Sequence, residues 1–127
     1  MRDMSRANAI TTVKNELFVE AIKGLFLMNG GAAISLATWL QAVWEKKWAA
    51  PMLEWHLWGM AMFGLGVFFA GVSFLARFLA FYHPRARFPR QNPVWWAHTV
   101  TSVLSVLAFG IGIFLVVWGG FAALRCL

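Results

Sequence analysis

Three apolar segments, each about as long as a lipid bilayer is thick, limit what this chain can fold into. They cover residues 24–44, 57–76 and 99–120, and tryptophans stand at one or both ends of each segment. A helix needs about 20 apolar residues to cross a hydrocarbon core of about 30 Å. Because lipid offers no hydrogen bonds to the backbone, only elements that bond internally can span it. The pattern predicts an all-α membrane protein with three transmembrane helices in a single domain, residues 1–127.

The composition favours lipid over water as the surroundings of this chain. Hydrophobic residues make up 61% of it and charged residues 13%, whereas charged residues make up about a quarter of a soluble domain. A net charge of +6 would suggest nucleic-acid binding in a soluble protein, but basic residues also hold membrane loops on the cytoplasmic side. We favour the second explanation and expect a lipid bilayer, with no nucleic acid, as the partner.

The head, residues 1–23, has a helical pattern of its own. Its apolar residues recur three or four positions apart, a spacing that places them on one face of a helix. We predict a short amphipathic helix at the membrane interface before the first span, with a direct extension of the first span as the alternative. The apolar residues of this face are Ile10, Val13, Leu17, Phe18, Ala21 and Ile22.

Basic residues are distributed unequally outside the predicted spans. With three spans, the head and the loop after the second span lie on one side of the membrane, and eight of the 11 basic residues belong to that side. The positive-inside rule places it in the cytoplasm. The sequence thus predicts a cytoplasmic N-terminus and a C-terminus outside.

Aromatic residues mark the predicted membrane boundaries. Indole and phenol rings favour the headgroup region, where the ring is partly dry and its polar group is wet. Arg77 joins them because its long side chain can extend to the headgroups from the end of the second span. The predicted interface anchors are Trp39, Trp44, Trp48, Trp55, Trp58, Tyr82, Trp95, Trp96, Trp118 and Arg77.

Small residues indicate where the predicted spans approach other helices. Glycine, alanine and serine four residues apart make a flat face on which a second backbone can pack, within this chain or between copies. Asn29 lies beside two glycines, and its carboxamide needs a partner in lipid. We interpret it as a bond between helices, with a ligand or ion contact at an irregular helix as the alternative. The predicted helix-packing residues are Asn29, Gly30, Gly31, Ser35, Gly66, Ala70, Ala108 and Gly112.

The third span begins with a polar stretch, residues 98–105. Hydroxyl groups in a membrane helix can bond the backbone carbonyl four residues earlier. We expect Thr101, Ser102 and Ser105 to do so, with the polar lining of a pore in an oligomer as the alternative.

No pattern in the chain is typical of a catalytic or metal site. The five acidic residues lie at or outside the predicted interfaces, and neither CxxC nor HExxH occurs. We therefore predict no enzyme activity, no catalytic residue and no metal site. Histidines can ligate haem, but His56 begins the second span whereas His83 and His98 lie near the opposite interface. The cofactor alternative is a haem or quinone shared with a partner chain.

The segment EAIKGLFLMNGGAAISLATWL, residues 20–40, and the three-span layout resemble small bacterial inner-membrane proteins whose first helix contains NGGA and whose function is uncharacterised. The likeness covers mainly residues 16–40. It implies a bacterial inner membrane and implies no mechanism.

Three functional hypotheses follow from these observations. The first is a non-catalytic structural or accessory subunit, assembled with other membrane subunits or with copies of itself through small-residue helix faces. The second is a pore-forming or membrane-disrupting effector, holin-like or defence-related, which small size and several spans also fit. The third is a haem- or quinone-binding membrane anchor.

Overall fold

The computed structural model describes the backbone of residues 2–82 and 93–125 and the side chains of residues 9–79 and 96–125. Its helices are α1 (Arg2–Val43), α2 (Ala50–Tyr82) and α3 (Pro93–Leu124), and a 3₁₀ turn, Lys47–Ala49, links the first two. Within these ranges the chain forms no strand. Three segments are long and apolar enough to cross a membrane, namely Ala9–Val43, Lys47–Leu79 and Trp96–Leu124. The prediction of three helices that can span a membrane is confirmed.

Helix α1 runs through the predicted head and the first predicted span without interruption. It has 42 residues, which correspond to about 63 Å at a rise of 1.5 Å per residue. The structure therefore has the alternative, a direct extension of the first span, and it does not show a separate amphipathic helix before that span. Gly24, where the predicted break lay, is helical. Lys23, the residue before it, pairs at 2.6 Å with Glu20, one helical turn earlier.

Backbone hydrogen bonds mark the end of α1, and prolines mark the starts of α2 and α3. After α1 the Lys46 N–H donates to the Val43 carbonyl, and the Ala49 N–H donates to the Lys46 carbonyl, both at 2.9 Å. Pro51 is the second residue of α2 and Pro93 the first of α3. Proline is tolerated there because the first N–H groups of a helix have no intrahelical acceptor. The short link makes α1 and α2 antiparallel neighbours.

The buried positions of α1 and α3 follow steps of three, four and seven residues, and those of α2 alternate steps of three and four. Two such steps make seven residues, the repeat of helices that coil around each other with a left-handed twist. Helices α2 and α3 pack along most of their length, whereas α1 packs mainly on α2 and only sparsely on α3. The buried residues are Ile22, Asn29, Leu36, Leu40 and Val43 on α1, His56, Gly59, Phe63, Gly66, Ala70 and Ser73 on α2, and His98, Ser105, Ala108, Gly112, Gly119 and Ala123 on α3.

The bundle has two ends, which we name by their residues. The turn end holds Val43, Ala50 and Leu124, and the arginine end holds Asn15, Arg77 and Trp96. The apolar core lies toward the turn end, where Leu36, Leu40 and Phe63 are buried together. Gly112 admits the Phe63 ring, since a Cβ at Gly112 would lie 2.6 Å from that ring.

Candidate functional site

The middle of the bundle holds a polar junction, formed by Asn29, Gly66 and Ser105, at which all three helices meet. The Asn29 Nδ2 group donates to the Leu25 carbonyl of its own helix at 3.0 Å and to the Ser105 hydroxyl at 3.3 Å. The Ser105 hydroxyl donates to the Gly66 carbonyl at 2.8 Å. Both Asn29 and Ser105 are fully buried. The junction thus connects α1, α2 and α3 with side-chain bonds that lipid cannot replace.

The bonding pattern fixes the orientation of the Asn29 amide. Both its Nδ2 protons are used, and the one Ser105 proton is committed to a carbonyl, so Ser105 accepts from Asn29. The Asn29 Oδ1 atom receives no N–H or O–H bond from the described residues. It lies against the Cα of Gly66, since a Cβ there would overlap the carboxamide. A Cα–H···O contact of this kind is common where helices touch, and only glycine leaves room for it here.

A second polar cluster, formed by Ser73, His98 and Ser102, lies nearer the arginine end. The Ser73 hydroxyl is 2.7 Å from the His98 Nδ1 atom and 2.7 Å from the Ser102 hydroxyl. It also donates to the His98 carbonyl at 3.1 Å. Ser73 and His98 are both buried. This cluster ties α2 to α3 as the junction ties all three helices.

Arg77 closes the arginine end of this polar interior. Its Nη2 group donates to the Asn15 Oδ1 atom, and its guanidinium lies over the Phe18 ring, 5.0 Å from the centroid. The edge of that ring in turn meets His98, with the centroids 5.6 Å apart. The sequence predicted that the Arg77 side chain extends to the headgroups, and this stays a prediction; the side chain is half-buried and packs against α1. A cation over a ring gains about 0.5–1 kcal/mol at exposed sites.

The second buried histidine, His56, lies toward the turn end. Its Nδ1 atom is 2.8 Å from the Met52 carbonyl, and its ring stacks on Trp39 with centroids 4.6 Å apart. Gly119 makes room for it, since a Cβ at Gly119 would lie 3.0 Å from that Nδ1 atom. Trp39 is therefore part of the interior as well as a predicted interface anchor.

The two described histidines are too far apart to share one haem within the chain. His98 is level with Ser73, and Ser73 follows His56 by 17 residues, which is about 25 Å along the helix. A haem between two imidazoles needs both at one depth. His83 lies outside the described residues. No three histidine, cysteine, aspartate or glutamate side chains of the described part lie close enough together to hold a metal ion.

The predicted helix-packing residues divide into three groups by burial. Asn29, Gly66, Ala70, Ala108 and Gly112 are buried between the helices of this chain. Gly30 is half-buried, and a Cβ there would lie 3.8 Å from a Val67 methyl group. Gly31 and Ser35 are exposed, and a Cβ at Gly31 would meet nothing within 4 Å. The small-residue face of α1 therefore points away from α2 and α3.

The predicted anchors also divide by burial. Trp44, Trp48, Trp58, Trp96 and Trp118 are exposed, as a ring in the headgroup region would be, and Trp39 and Trp55 are half-buried. The side chains of Tyr82 and Trp95 lie outside the described residues. The exposed rings stand near both ends of the bundle.

The sequence pattern missed several contact residues. Thr101 bonds the Ala97 carbonyl of its own helix at 2.7 Å, as expected, but Ser102 and Ser105 reach across to α2. Ser73, Gly59 and Gly119 were not predicted as contacts, although all three are buried. The signal that reveals them is a spacing of seven residues, Gly59, Gly66 and Ser73 on α2 and His98, Ser105, Gly112 and Gly119 on α3.

No protein-family model matches this chain, and neither a curated protein nor a solved structure is significantly similar to it.

Proposed function

We propose that the protein is a non-catalytic accessory subunit of a membrane complex, or a subunit of a homo-oligomer, in which α1 supplies the contact face. The observation that carries this proposal is how little of α1 the chain itself covers. Only 11% of the most apolar stretch of α1 is buried, against 28% for α2. The uncovered face includes Gly31 and Ser35, on which a second backbone could approach closely.

The polar interior supports the same proposal. The hydroxyl and amide groups of Asn29, Ser73 and Ser105 bond to one another or to the backbone, so they join helices. Proton relays and ion-coupled carriers usually place an acidic residue inside the bundle, and the five acidic residues of this chain all lie in or near its polar ends. The interior is suited to holding a fixed shape for a partner.

The membrane proposed for this subunit is the bacterial inner membrane, with the arginine end in the cytoplasm. Asn15 contacts Arg77, so the basic head and the end of α2 lie at one end of the bundle, while Lys46 and Lys47 lie in the turn at the other. Cys126 is the one native cysteine. Membrane-impermeant thiol labelling of intact cells should modify it, and a Cys126→Ser variant should stay unlabelled. Labelling only after cell lysis would indicate the opposite orientation.

The contact face can be tested with two glycines that are both exposed. Gly31→Leu places a large side chain on the uncovered face of α1, and Gly110→Leu places the same side chain on α3, where a Cβ also meets nothing within 4 Å. After mild detergent extraction and native gel electrophoresis, Gly31→Leu should lose the co-purifying chains or the higher oligomer, and Gly110→Leu should keep them. Equal behaviour of the two variants would contradict the assignment to α1.

The pore-forming alternative predicts a different result for the cell. An accessory subunit expressed alone should leave the membrane potential unchanged, because its polar groups are bonded inside a closed bundle. A potential-sensitive dye read before and after induction measures this directly. Depolarisation that follows expression of the unmodified chain would favour a pore former over a subunit.

A further inference from the structure

His56 combines nearly complete burial with one ring nitrogen that is still accessible. The side chain is 6% exposed. A carbonyl oxygen can only accept, so the 2.8 Å contact with Met52 places a proton on Nδ1. In the neutral ring Nε2 is then a hydrogen-bond acceptor. Nε2 bonds to none of the described residues, and it is not among the fully enclosed polar atoms.

The ring lines a groove that opens where α1 and α3 diverge. The groove has a volume of about 460 Å³, and its walls include Ser35, Trp39, Phe63, Val116 and Val117 besides His56. Apart from the Ser35 hydroxyl these walls are apolar or aromatic, and the Trp39 and His56 rings stack on each other, with an interplanar angle of 24°. Flat aromatic walls and one acceptor at the end of an apolar groove favour a flat ring that carries a hydrogen-bond donor and an apolar tail.

We propose that this groove binds a membrane-soluble quinol, with one quinol hydroxyl donating to the His56 Nε2 atom. The apolar tail lies along Val116 and Val117 toward the surrounding lipid. A quinol donates through its O–H groups, whereas the oxidised quinone has only carbonyl acceptors. Two acceptors cannot bond each other, so the His56 Nε2 atom favours the reduced form. The groove shares Ser35 with the contact face proposed above but does not include Gly31, so quinol titration of the chain and the assembly assay on Gly31→Leu test the two proposals separately.

The first experiment observes the nitrogen itself. The full chain is labelled with ¹⁵N-histidine, placed in phospholipid nanodiscs and titrated with decylubiquinol or with decylubiquinone. The chain has three histidines, and His56→Leu identifies the His56 signals by their loss. Decylubiquinol should shift the His56 Nε2 signal saturably and leave the His98 signals in place. The quinol should bind roughly three- to tenfold more tightly than the quinone, the factor expected for one net hydrogen bond.

A pair of tryptophan variants tests the place of binding without altering the core. Ser35→Trp adds a ring at the rim of the groove, on a residue that is exposed. Ile34→Trp adds the same ring one residue away, at a position 70% exposed that does not line the groove. Ser35→Trp should weaken quinol binding by at least about tenfold, since it fills the space the ligand needs. Ile34→Trp should bind as the unmodified chain does.

Several results would overturn the proposal. These are the absence of a saturable shift, equal affinity for quinol and quinone, or the same affinity in Ser35→Trp as in Ile34→Trp. A shift that follows the phospholipid composition of the nanodisc but not added quinol would assign the groove to lipid. A Soret band on addition of haem, with loss of the Nε2 signal, would assign the nitrogen to iron.

Discussion

The contact between α2 and α3 uses different kinds of residue from the contact of α1 with that pair. Small residues dominate the first: Gly59, Gly112 and Gly119 bring two backbones together, and a Cβ at any of them would lie within 3 Å of a neighbouring side chain. The second relies on larger side chains, Leu36 and Leu40, with Asn29 as its buried polar bond. Without a hydrophobic drive between helices in lipid, close packing and polar bonds decide association. The α2–α3 pair is accordingly the tightly packed part of the bundle, and α1 is the helix whose apolar surface is least covered.

The largest expected effect tests the point at which both contacts meet. Gly66→Ala places a methyl group in the space of the Asn29 carboxamide, whose two N–H groups are already committed. We expect a loss of about 2–3 kcal/mol in the free energy of unfolding, the upper part of the range of about 1–3 kcal/mol found for overpacked cores. Gly64→Ala is the control, since a Cβ there meets nothing within 4 Å. Detergent-to-SDS unfolding followed by circular dichroism measures both, and equal stabilities would refute the junction.

The next effect addresses α1 alone. Asn29→Ala removes the bonds to Ser105 and to Leu25, and we expect a loss of about 1–2 kcal/mol, the range found for polar bonds between model membrane peptides. The control is Thr38→Ala, because Thr38 bonds only the Ile34 carbonyl of its own helix among the described residues. Steric trapping with paired labels on α1 and α2 should report easier separation of α1 for Asn29→Ala. If the two variants separate with the same ease, Asn29 does not hold α1.

A smaller effect is expected within the α2–α3 contact near the turn end. Gly112→Ala places a methyl group 2.6 Å from the Phe63 ring, but a ring at the end of its side chain can rotate aside. We therefore expect a loss of about 1 kcal/mol, the low end for overpacking. Gly110→Ala serves for comparison, with open space at its Cβ. Thermal unfolding in detergent should rank Gly112→Ala below Gly110→Ala, and the reverse ranking would show that the Phe63 contact does not limit packing.

The smallest effect concerns the cluster near the arginine end. Ser73→Ala removes contacts to His98 and Ser102, and polar bonds between membrane helices average about 0.6 kcal/mol. Thr101→Ala removes bonds that stay within α3 and should cost less. The ¹⁵N signals of His98 should move in Ser73→Ala and stay in place in Thr101→Ala. Unmoved His98 signals in both variants would contradict the bond between Ser73 and His98.

The same comparison explains what could be predicted from the sequence. Helix positions followed from apolar length and from Pro51 and Pro93, because both signals are local. The four-residue pairs Gly66–Ala70 and Ala108–Gly112 were found because they belong to the buried repeat. Gly31 and Ser35 have the same spacing, yet they fall outside the register of Ile22, Asn29 and Leu36. Spacing alone cannot say which helix face a neighbour covers, and a seven-residue repeat across two helices can.

The groove at His56 lay beyond sequence reasoning for a related reason. Trp39, His56 and Gly119 are far apart in the chain, and each had a plausible reading alone as a boundary residue. Only the antiparallel packing of α2 with its neighbours brings the indole, the imidazole and the glycine to one level. The sequence shows which residue types could bind a ligand, but it does not show that these three residues lie at the same depth in the bundle.

The continuity of α1 has a mechanical consequence. At about 63 Å it exceeds the 40–45 Å thickness of a whole bilayer, and no glycine of its 42 residues interrupts the helix. An uninterrupted rod has no hinge, so a load taken up near its first turns tilts it as one piece. Asn29 bonds α1 to α3, and Asn15, nearer the start of the helix, bonds it to Arg77 of α2. A partner that binds near the start of α1 would therefore tilt the whole helix relative to α2 and α3, within the hydrocarbon core.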